Sequence, residues 1–173
     1  MQKMKFIVLS DSHGREDGMR RVLSANRDAD GFFFLGDGAR EAAALAEEFP
    51  SLCFLGVRGN CDSPLLSFLG RATLPEEDEI VLMGHRILYL HGHTAGAKSG
   101  LGALISLGRR RGASLVLFGH THEPCEHYIA DTDPPLYLFN PGSISRPRSG
   151  GQSFGVLTLT DGGILLSHGT LEH

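Results

Sequence analysis

The chain has 173 residues, of which 41% are apolar and 21% are charged, and it carries a formal net charge of −4. This composition is typical of one globular domain, and the negative charge excludes the broad positive surface of a protein that grips nucleic acid by its phosphates. No run approaches the ~20 apolar residues of a membrane-spanning helix. We therefore expect no membrane partner, and we do not expect nucleic acid as a substrate.

The cysteines and the two termini bear on where the protein works. Cys53, Cys61 and Cys125 form an odd set without a CxxC pair, which argues against a disulfide framework and favours a reducing, cytoplasmic location. The apolar stretch behind the first residues is too short for a secretory signal. Residues 171–173 resemble the start of a purification tag, so we expect a single domain over residues 1–170.

The first half of the chain alternates strand and helix patterns. Short apolar runs predict strands at 5–10, 31–36 and 53–57, and helical spacing of apolar residues predicts helices at 15–27 and 39–48. Asp62-Ser63-Pro64 offers a capping residue and a proline at a first helical position, which predicts a short helix over 64–69. Alternation of this kind is typical of parallel βαβ units.

The second half begins with a predicted hairpin, in which residues 80–83 and 86–90 flank a Gly84-His85 turn. A helix is predicted over 97–111, followed by a strand at 115–118. The remainder is mainly β, with a hairpin turn at Asp161-Gly162-Gly163 and a long loop over 141–153. The last predicted strands are 126–130, 136–140, 154–160 and 163–168.

Five of the apolar runs lead directly into residues that can bind a metal. The runs and the residues that follow them are Phe6–Leu9 with Asp11 and His13, Phe32–Leu35 with Asp37, Cys53–Val57 with Asn60, Ile87–Leu90 with His91, and Leu115–Phe118 with His120 and His122. Open α/β sheets place their ligand sites beyond the carboxyl ends of strands. We therefore expect these seven side chains to gather along one edge.

Each of these motifs has an ordinary structural interpretation when it is taken alone. Asp37 precedes a helix pattern and is in a position to cap it, and the two histidines of Gly119-His120-Thr121-His122 are compatible with a solvated loop. The joint occurrence of D-x-H, GD, GN, HGH and GHTH in this order, each after an apolar run, favours a metal site instead.

These residues resemble the signature of the calcineurin-like metallophosphoesterase superfamily, which is D-x-H, GD, GN, a separate His and GH-x-H. Asn140-Pro141-Gly142-Ser143 and the GNCD at 59–62 resemble its small single-domain prokaryotic phosphodiesterase branch more narrowly. The resemblance implies an α/β fold, a four-layer α/β/β/α sandwich of two packed mixed sheets flanked by helices.

The resemblance also implies a dinuclear metal site that hydrolyses phosphoesters with a hydroxide bridging the two ions. It assigns Asp11, His13 and His122 to one ion, Asn60, His91 and His120 to the other, and Asp37 to both. Carboxylate, imidazole and amide ligands suit divalent transition metals, with Mn²⁺ preferred and Fe²⁺, Zn²⁺, Ni²⁺ or Co²⁺ as alternatives.

This chain departs from the family pattern directly after the metal-binding Asn60. Many members carry a histidine there that protonates the leaving group or orients phosphate, whereas this chain has Cys61. A thiol can donate a proton, but it can also ionise near a metal or simply pack. His93 is the better placed substitute by its spacing from His91, with a supporting role for that loop as the alternative.

The leading hypothesis is a phosphodiesterase that acts on a small phosphoester or nucleotide, and a homo-oligomer is compatible with the sequence. The first alternative is a phosphomonoesterase or nucleotidase with the same site. The second is a protein-binding scaffold related to the retromer subunit of this fold, and a nuclease would lack an evident basic groove. Candidates for phosphate contacts, each with a solvated surface charge as the alternative, are Arg58, Lys98, Arg146 and Arg148.

Overall fold

The computed structural model describes residues 2–64 and 74–171, which form ten strands and three α-helices. The strands are β1 (Lys3–Leu9), β2 (Gly31–Phe34), β3 (Cys53–Gly56), β4 (Glu77–Leu82), β5 (His85–Leu90), β6 (Leu115–Phe118), β7 (Pro124–Ile129), β8 (Leu136–Pro141), β9 (Ser153–Thr160) and β10 (Gly163–Thr170). The helices are α1 (Asp17–Ala25), α2 (Ala39–Glu48) and α3 (Gly102–Arg111), and a short 3₁₀ turn covers Ala97–Ser99.

The strands form two five-stranded mixed sheets. The first sheet has the order β10-β9-β1-β2-β3, with β1, β2 and β3 parallel. The second has the order β4-β5-β6-β8-β7, with β5, β6 and β8 parallel. The parallel centre and antiparallel edges explain why the central runs are continuously apolar, since both of their faces are covered.

Alternate residues of the central strands face different layers. Ile7 and Phe34 pack in a cluster with residues of α1 and α2, whereas Phe6 and Phe33 pack in a cluster that joins the two sheets. A third cluster places Leu104 of α3 against the outer face of the second sheet. The predicted four-layer α/β/β/α sandwich is therefore confirmed.

Several predicted boundaries were wrong, for local reasons. The helix predicted over 97–111 is broken at Gly100, whose φ of 128° is not helical. The turn of the first hairpin is Met83-Gly84 and not Gly84-His85, and both residues have the positive φ that a type I′ turn requires. The helix predicted over 15–27 spans only Asp17–Ala25. The helix predicted over 64–69 lies outside the described residues, apart from Pro64.

Two further observations concern the cysteines and the helices. Cys53, Cys61 and Cys125 are all free. Within residues 2–64 and 74–171, no helix has the length and apolar character needed to cross a membrane.

Candidate metal centre

The centre lies where the carboxyl ends of strands from both sheets meet. Asp11 and His13 follow β1, and Asp37 follows β2, in the first sheet. His91 follows β5, and the pair His120 and His122 follows β6, in the second sheet. The edge at which the sequence predicts the metal site is therefore formed by both sheets. The candidate ligand residues of one sheet face those of the other.

The backbone turns sharply at these residues. Six non-glycine residues of the described chain have positive φ, and five of them are predicted ligands: Asp11, His13, Asp37, His120 and His122. Such a conformation costs on the order of 1–3 kcal/mol per residue and persists only where the surroundings enforce it. Here the enforcement includes hydrogen bonds from the Asp11 amide to the Gly36 carbonyl at 3.0 Å and from the His13 amide to the Asp37 carbonyl at 2.9 Å.

The first ligand group consists of Asp11, His13 and His122, whose ligand atoms lie within 4.8 Å of one another. His122 Nε2 lies 3.2 Å from Asp11 Oδ1 and 3.1 Å from His13 Nε2. Asp11 is fully buried, and its Oδ1 has no hydrogen-bond partner within the described chain. A buried carboxylate oxygen without a donor is costly, and a bound cation would remove that cost.

The second ligand group consists of Asp37, His91 and His120, again within 4.8 Å. His91 Nε2 lies 3.4 Å from Asp37 Oδ2 and 3.2 Å from His120 Nδ1. Asp37 Oδ2 also lies 3.9 Å from His13 Nε2 of the first group. Asp37 therefore stands between the two groups.

Backbone carbonyls hold two of the histidine rings. His91 Nδ1 lies 2.7 Å from the Leu35 carbonyl oxygen, and His122 Nδ1 lies 2.7 Å from the Arg146 carbonyl oxygen. A carbonyl only accepts, so each Nδ1 donates and each neutral ring presents Nε2 as a lone pair toward the centre. Both rings are fixed in the tautomer that binds a metal through Nε2.

The charges of the centre shift the histidine pKa values in opposite directions. Burial lowers the pKa of His91, but the carboxylates of Asp37 and Asp11 outweigh burial and raise it. The Asp11 carboxylate, whose Oδ1 lies 3.2 Å from His122 Nε2, raises the pKa of His122. Burial, with the charges of His91 and Lys98, lowers the pKa of His120 to about 4, and burial also lowers that of His13. Without a metal, the raised pKa values of His91 and His122 favour protonated rings beside the two carboxylates.

Asn60 remains a prediction as a ligand, although both of its neighbours contact Asp37. The Cys61 amide donates to Asp37 Oδ1 at 2.8 Å. A Cβ added at Gly59 would lie 2.6 Å from the Asp37 backbone nitrogen, so only glycine permits this close approach. The side chain of Asn60 is exposed and donates to Cys61 Sγ at 3.4 Å.

The two candidates for the leaving-group acid lie on different sides of the centre. His93 is 20% exposed, and its ring centre lies 5.4 Å from that of His91 and 6.1 Å from that of His120. Cys61 Sγ belongs to a group with His13 and Asp37 in which all ligand atoms lie within 4.8 Å. Burial and the neighbouring Asp37 raise the pKa of the Cys61 thiol, which keeps its proton in the metal-free protein.

Asp62 has a role that the sequence analysis missed. Its carboxylate accepts four backbone N–H groups at 2.7–2.9 Å, from Asp37, Gly38, Ala39 and Gly59. It therefore caps the start of α2 from a distant loop and fixes the turn that carries Asp37. The alternative in which Asp37 caps that helix was wrong, because Asp37 points to the centre and Asp62 receives the helix amides. Its position in the GNCD motif was the available signal.

Hydroxyl groups of the 141–153 loop hold the turn after β1. Ser143 Oγ donates to the Asp11 carbonyl at 2.8 Å, and Ser145 Oγ lies 3.0 Å from the same oxygen and 2.8 Å from the Ser12 carbonyl. Asn140 Nδ2 donates to the Gly119 carbonyl at 3.0 Å and so holds the turn after β6. Asn140 and Ser143 therefore hold two of the turns that carry candidate ligands.

A cavity of about 440 Å³ opens over the first ligand group. His13, Asp37 and Cys61 line it together with two arginines, Arg40 and Arg146. Arg58, another predicted phosphate contact, instead forms an ion pair with Glu76 at 2.9 Å.

Three comparisons with known proteins agree with this geometry. The family model described as the calcineurin-like phosphoesterase superfamily domain matches residues 4–162. Phosphodiesterase YfcE of Escherichia coli is 32% identical over 171 residues, which cover 89% of this chain and 87% of that protein. A conserved protein of Streptococcus pneumoniae, described as a predicted phosphoesterase, superposes with a TM-score of 0.78 at 26% identity, covering 98% of this chain and 91% of that one.

The fold is also shared with a protein of another kind. Vacuolar Protein Sorting 29 of Cryptosporidium parvum superposes with a TM-score of 0.75 over 99% of both chains, at 16% identity. At that identity the similarity concerns the fold alone.

Proposed function

This chain belongs to the calcineurin-like phosphoesterase superfamily, and on that premise we propose that it hydrolyses phosphodiesters at a dinuclear metal centre. One observation carries the proposal: two groups of three Asp and His ligands face each other around Asp37, and the buried Asp11 Oδ1 beside them has no donor. A bound cation would satisfy that oxygen.

The donor set fits divalent transition metals. Imidazole nitrogens and carboxylate oxygens suit Mn²⁺, Fe²⁺, Zn²⁺, Ni²⁺ and Co²⁺, and Mn²⁺ is our preferred ion. We assign Asp11, His13 and His122 to one ion, Asn60, His91 and His120 to the other, and Asp37 to both. Two ions bound there would lower the pKa of a shared water, supply the hydroxide nucleophile and neutralise phosphate charge.

The protein itself contributes fixed orientation. The carbonyls of Leu35 and Arg146 hold the rings of His91 and His122, so that little reorganisation is needed when a metal binds. Arg40 and Arg146 line the cavity beside the first ligand group, where their guanidinium groups can bind the non-reacting phosphoryl oxygens.

We further propose His93 as the group that assists the leaving oxygen. Its Nδ1 is buried without a hydrogen-bond partner among the described residues, and its Nε2 lies 3.9 Å from Glu76 Oε1. Burial lowers the pKa of His93, so a smaller fraction of the rings carries a proton for the leaving oxygen, and the rate depends on the acidity of the leaving group.

The proposal is tested on metal-stripped protein reconstituted separately with Mn²⁺, Ni²⁺ or Zn²⁺. We expect bis-p-nitrophenyl phosphate to be hydrolysed with a higher kcat/KM than p-nitrophenyl phosphate. An Asp11→Asn variant should lose this activity, whereas Asp17→Asn, which changes a side chain that is 95% exposed, should retain it. A preference for the monoester would favour the phosphomonoesterase or nucleotidase function.

The second candidate is a protein-binding scaffold, favoured by the similarity in fold to Vacuolar Protein Sorting 29. The scaffold function is disfavoured because all seven candidate ligand positions carry the expected residue types. A scaffold also has no need of a buried Asp11 Oδ1 without a hydrogen-bond partner. Absence of phosphoesterase activity with every metal would support the scaffold and overturn the enzyme. We also propose that the protein is cytoplasmic and that residues 1–170 form a single domain.

A further inference from the structure

The loop Arg146-Pro147-Arg148 lies across His122 and separates two cavities. The Arg146 carbonyl accepts from His122 Nδ1 at 2.7 Å, and the Arg148 amide donates to the His122 carbonyl at 3.2 Å. Arg146 lines the cavity of about 440 Å³ over the ligand groups. Arg148 lines a second cavity of about 290 Å³, which we call the arm pocket; its lining includes Ala97, Lys98, Leu101, Thr121, Pro124 and Arg148.

We infer that the arm pocket binds one nucleoside of a nucleotide-bearing phosphodiester, and that Lys98 and Arg148 bind a second phosphate on that arm. This inference rests on the proposed function, since it places the reacting phosphate at the ligand groups and assigns the substituent beside it.

The arm pocket shares a wall with the metal centre. Thr121 lines it and stands between the ligands His120 and His122. Asn140 Nδ2 donates to Thr121 Oγ1 at 3.0 Å, so this wall is held in place. The arm pocket is therefore adjacent to the turn that carries His120 and His122.

The charges of the arm pocket favour an anion. Neither Lys98 nor Arg148 forms an ion pair with any carboxylate among the described residues, and both side chains belong to exposed residues. Glu123 also lines the pocket, so counting lysine, arginine and glutamate side chains alone, two cations and one carboxylate leave a formal charge of +1. Arg20 and Arg58, by contrast, are engaged by glutamates. A phosphate group is a suitable partner for the two free cations.

Part of the lining is apolar, which suits contact with a nucleobase. Ala97 is buried, and Leu101 is partly buried in the cluster that packs on the outer face of the second sheet, so their side chains give an apolar floor. The volume of about 290 Å³ lies just below the ~300–1,000 Å³ typical of ligand pockets. We therefore assign a single nucleoside to the arm pocket.

Diadenylate with and without a 5′-phosphate, pApA and ApA, supplies the test substrates. We expect the Mn²⁺-loaded protein to hydrolyse pApA with a kcat/KM at least tenfold above that for ApA. The double variant Lys98→Ala/Arg148→Ala should reduce this ratio to about one and weaken binding of 5′-AMP, measured by calorimetry, at least tenfold. Lys3→Ala/Arg110→Ala removes the same charge elsewhere and should change neither quantity.

The outcomes separate this inference from the proposed function. If pApA is hydrolysed but the Lys98/Arg148 variant keeps the wild-type ratio and AMP affinity, the arm pocket is not the nucleotide site and the inference is overturned alone. If the wild-type protein hydrolyses no diester with any metal, the proposed function falls and this inference falls with it.

Discussion

Replacing Asp62 should destabilise the protein more than any other loss of a partly exposed carboxylate in the described chain. Its side chain is the acceptor for four backbone N–H groups at the turn after β2 and the start of α2. Asp62→Ala removes all four acceptor contacts while it leaves the metal ligands unchanged. Asp62→Asn keeps one carbonyl oxygen and should have an intermediate effect.

The magnitude follows from the contacts. A hydrogen bond to a charged group contributes about 1.5–3 kcal/mol, which would give roughly 6–12 kcal/mol for four independent bonds. Asp62 is only partly buried, so water can replace some of them, and a single capping side chain contributes about 0.5–2 kcal/mol. We therefore expect Asp62→Ala to lower the free energy of unfolding by about 2–4 kcal/mol. For a chain of this length that corresponds to a fall in Tm of about 5–15 °C.

The assay is thermal and guanidinium unfolding of the metal-free protein, so that ligand loss does not contribute. Asp17→Ala, at a 95% exposed side chain, is the matched control and should shift the free energy by less than about 0.5 kcal/mol. The reasoning is refuted if the free energies of unfolding of Asp62→Ala and Asp17→Ala differ by less than about 0.5 kcal/mol. Elemental analysis of the surviving folded protein should also show weaker metal retention, because Asp62 holds the backbone of Asp37.

Three other changes test the centre. Asp37→Ala should abolish tight binding of at least one metal, because in the proposed assignment each of the two ions loses a ligand; full occupancy of both sites by elemental analysis would contradict this. Across a series of aryl and alkyl diesters, the hydrolysis rate should rise steeply with the acidity of the leaving group. Cys61→His should reduce this dependence by supplying a proton donor. A wild-type rate that does not change across the series would count against weak protonation of the leaving group. Gly59→Ala should lower Tm and metal affinity, because the new Cβ would meet the Asp37 nitrogen at 2.6 Å, whereas Gly102→Ala meets nothing within 4 Å and should be neutral by the same two measurements.

The sequence correctly predicted the features that depend on local residue patterns, above all the central strands. The central strands are buried on both faces, so their apolar runs are continuous and easily recognised, and the ligands directly follow those runs. The first three residues of β4, Glu77-Asp78-Glu79, were missed because charged residues are tolerated on a strand at the edge of its sheet. The motifs also predicted which side chains the structure brings together as candidate ligands.

Local sequence patterns could not predict the side chains that bind distant backbone groups. Nothing local shows that Asp62 receives the amides of a helix more than twenty residues earlier, or that Ser145 holds a carbonyl 134 residues away. The break at Gly100 was hidden because the apolar spacing continues across it. These features depend on where the two sheets dock, and that is set by packing over the whole chain.

Each ligand group draws residues from both sheets, with Asp11 and His13 opposite His122 and Asp37 opposite His91 and His120. An ion held by side chains of both sheets would link metal binding to the docking of the sheets. Every tenfold rise in free metal above its Kd would then add about 1.4 kcal/mol to the free energy of unfolding for each bound ion. Chelation would remove this contribution and weaken the association of the two sheets.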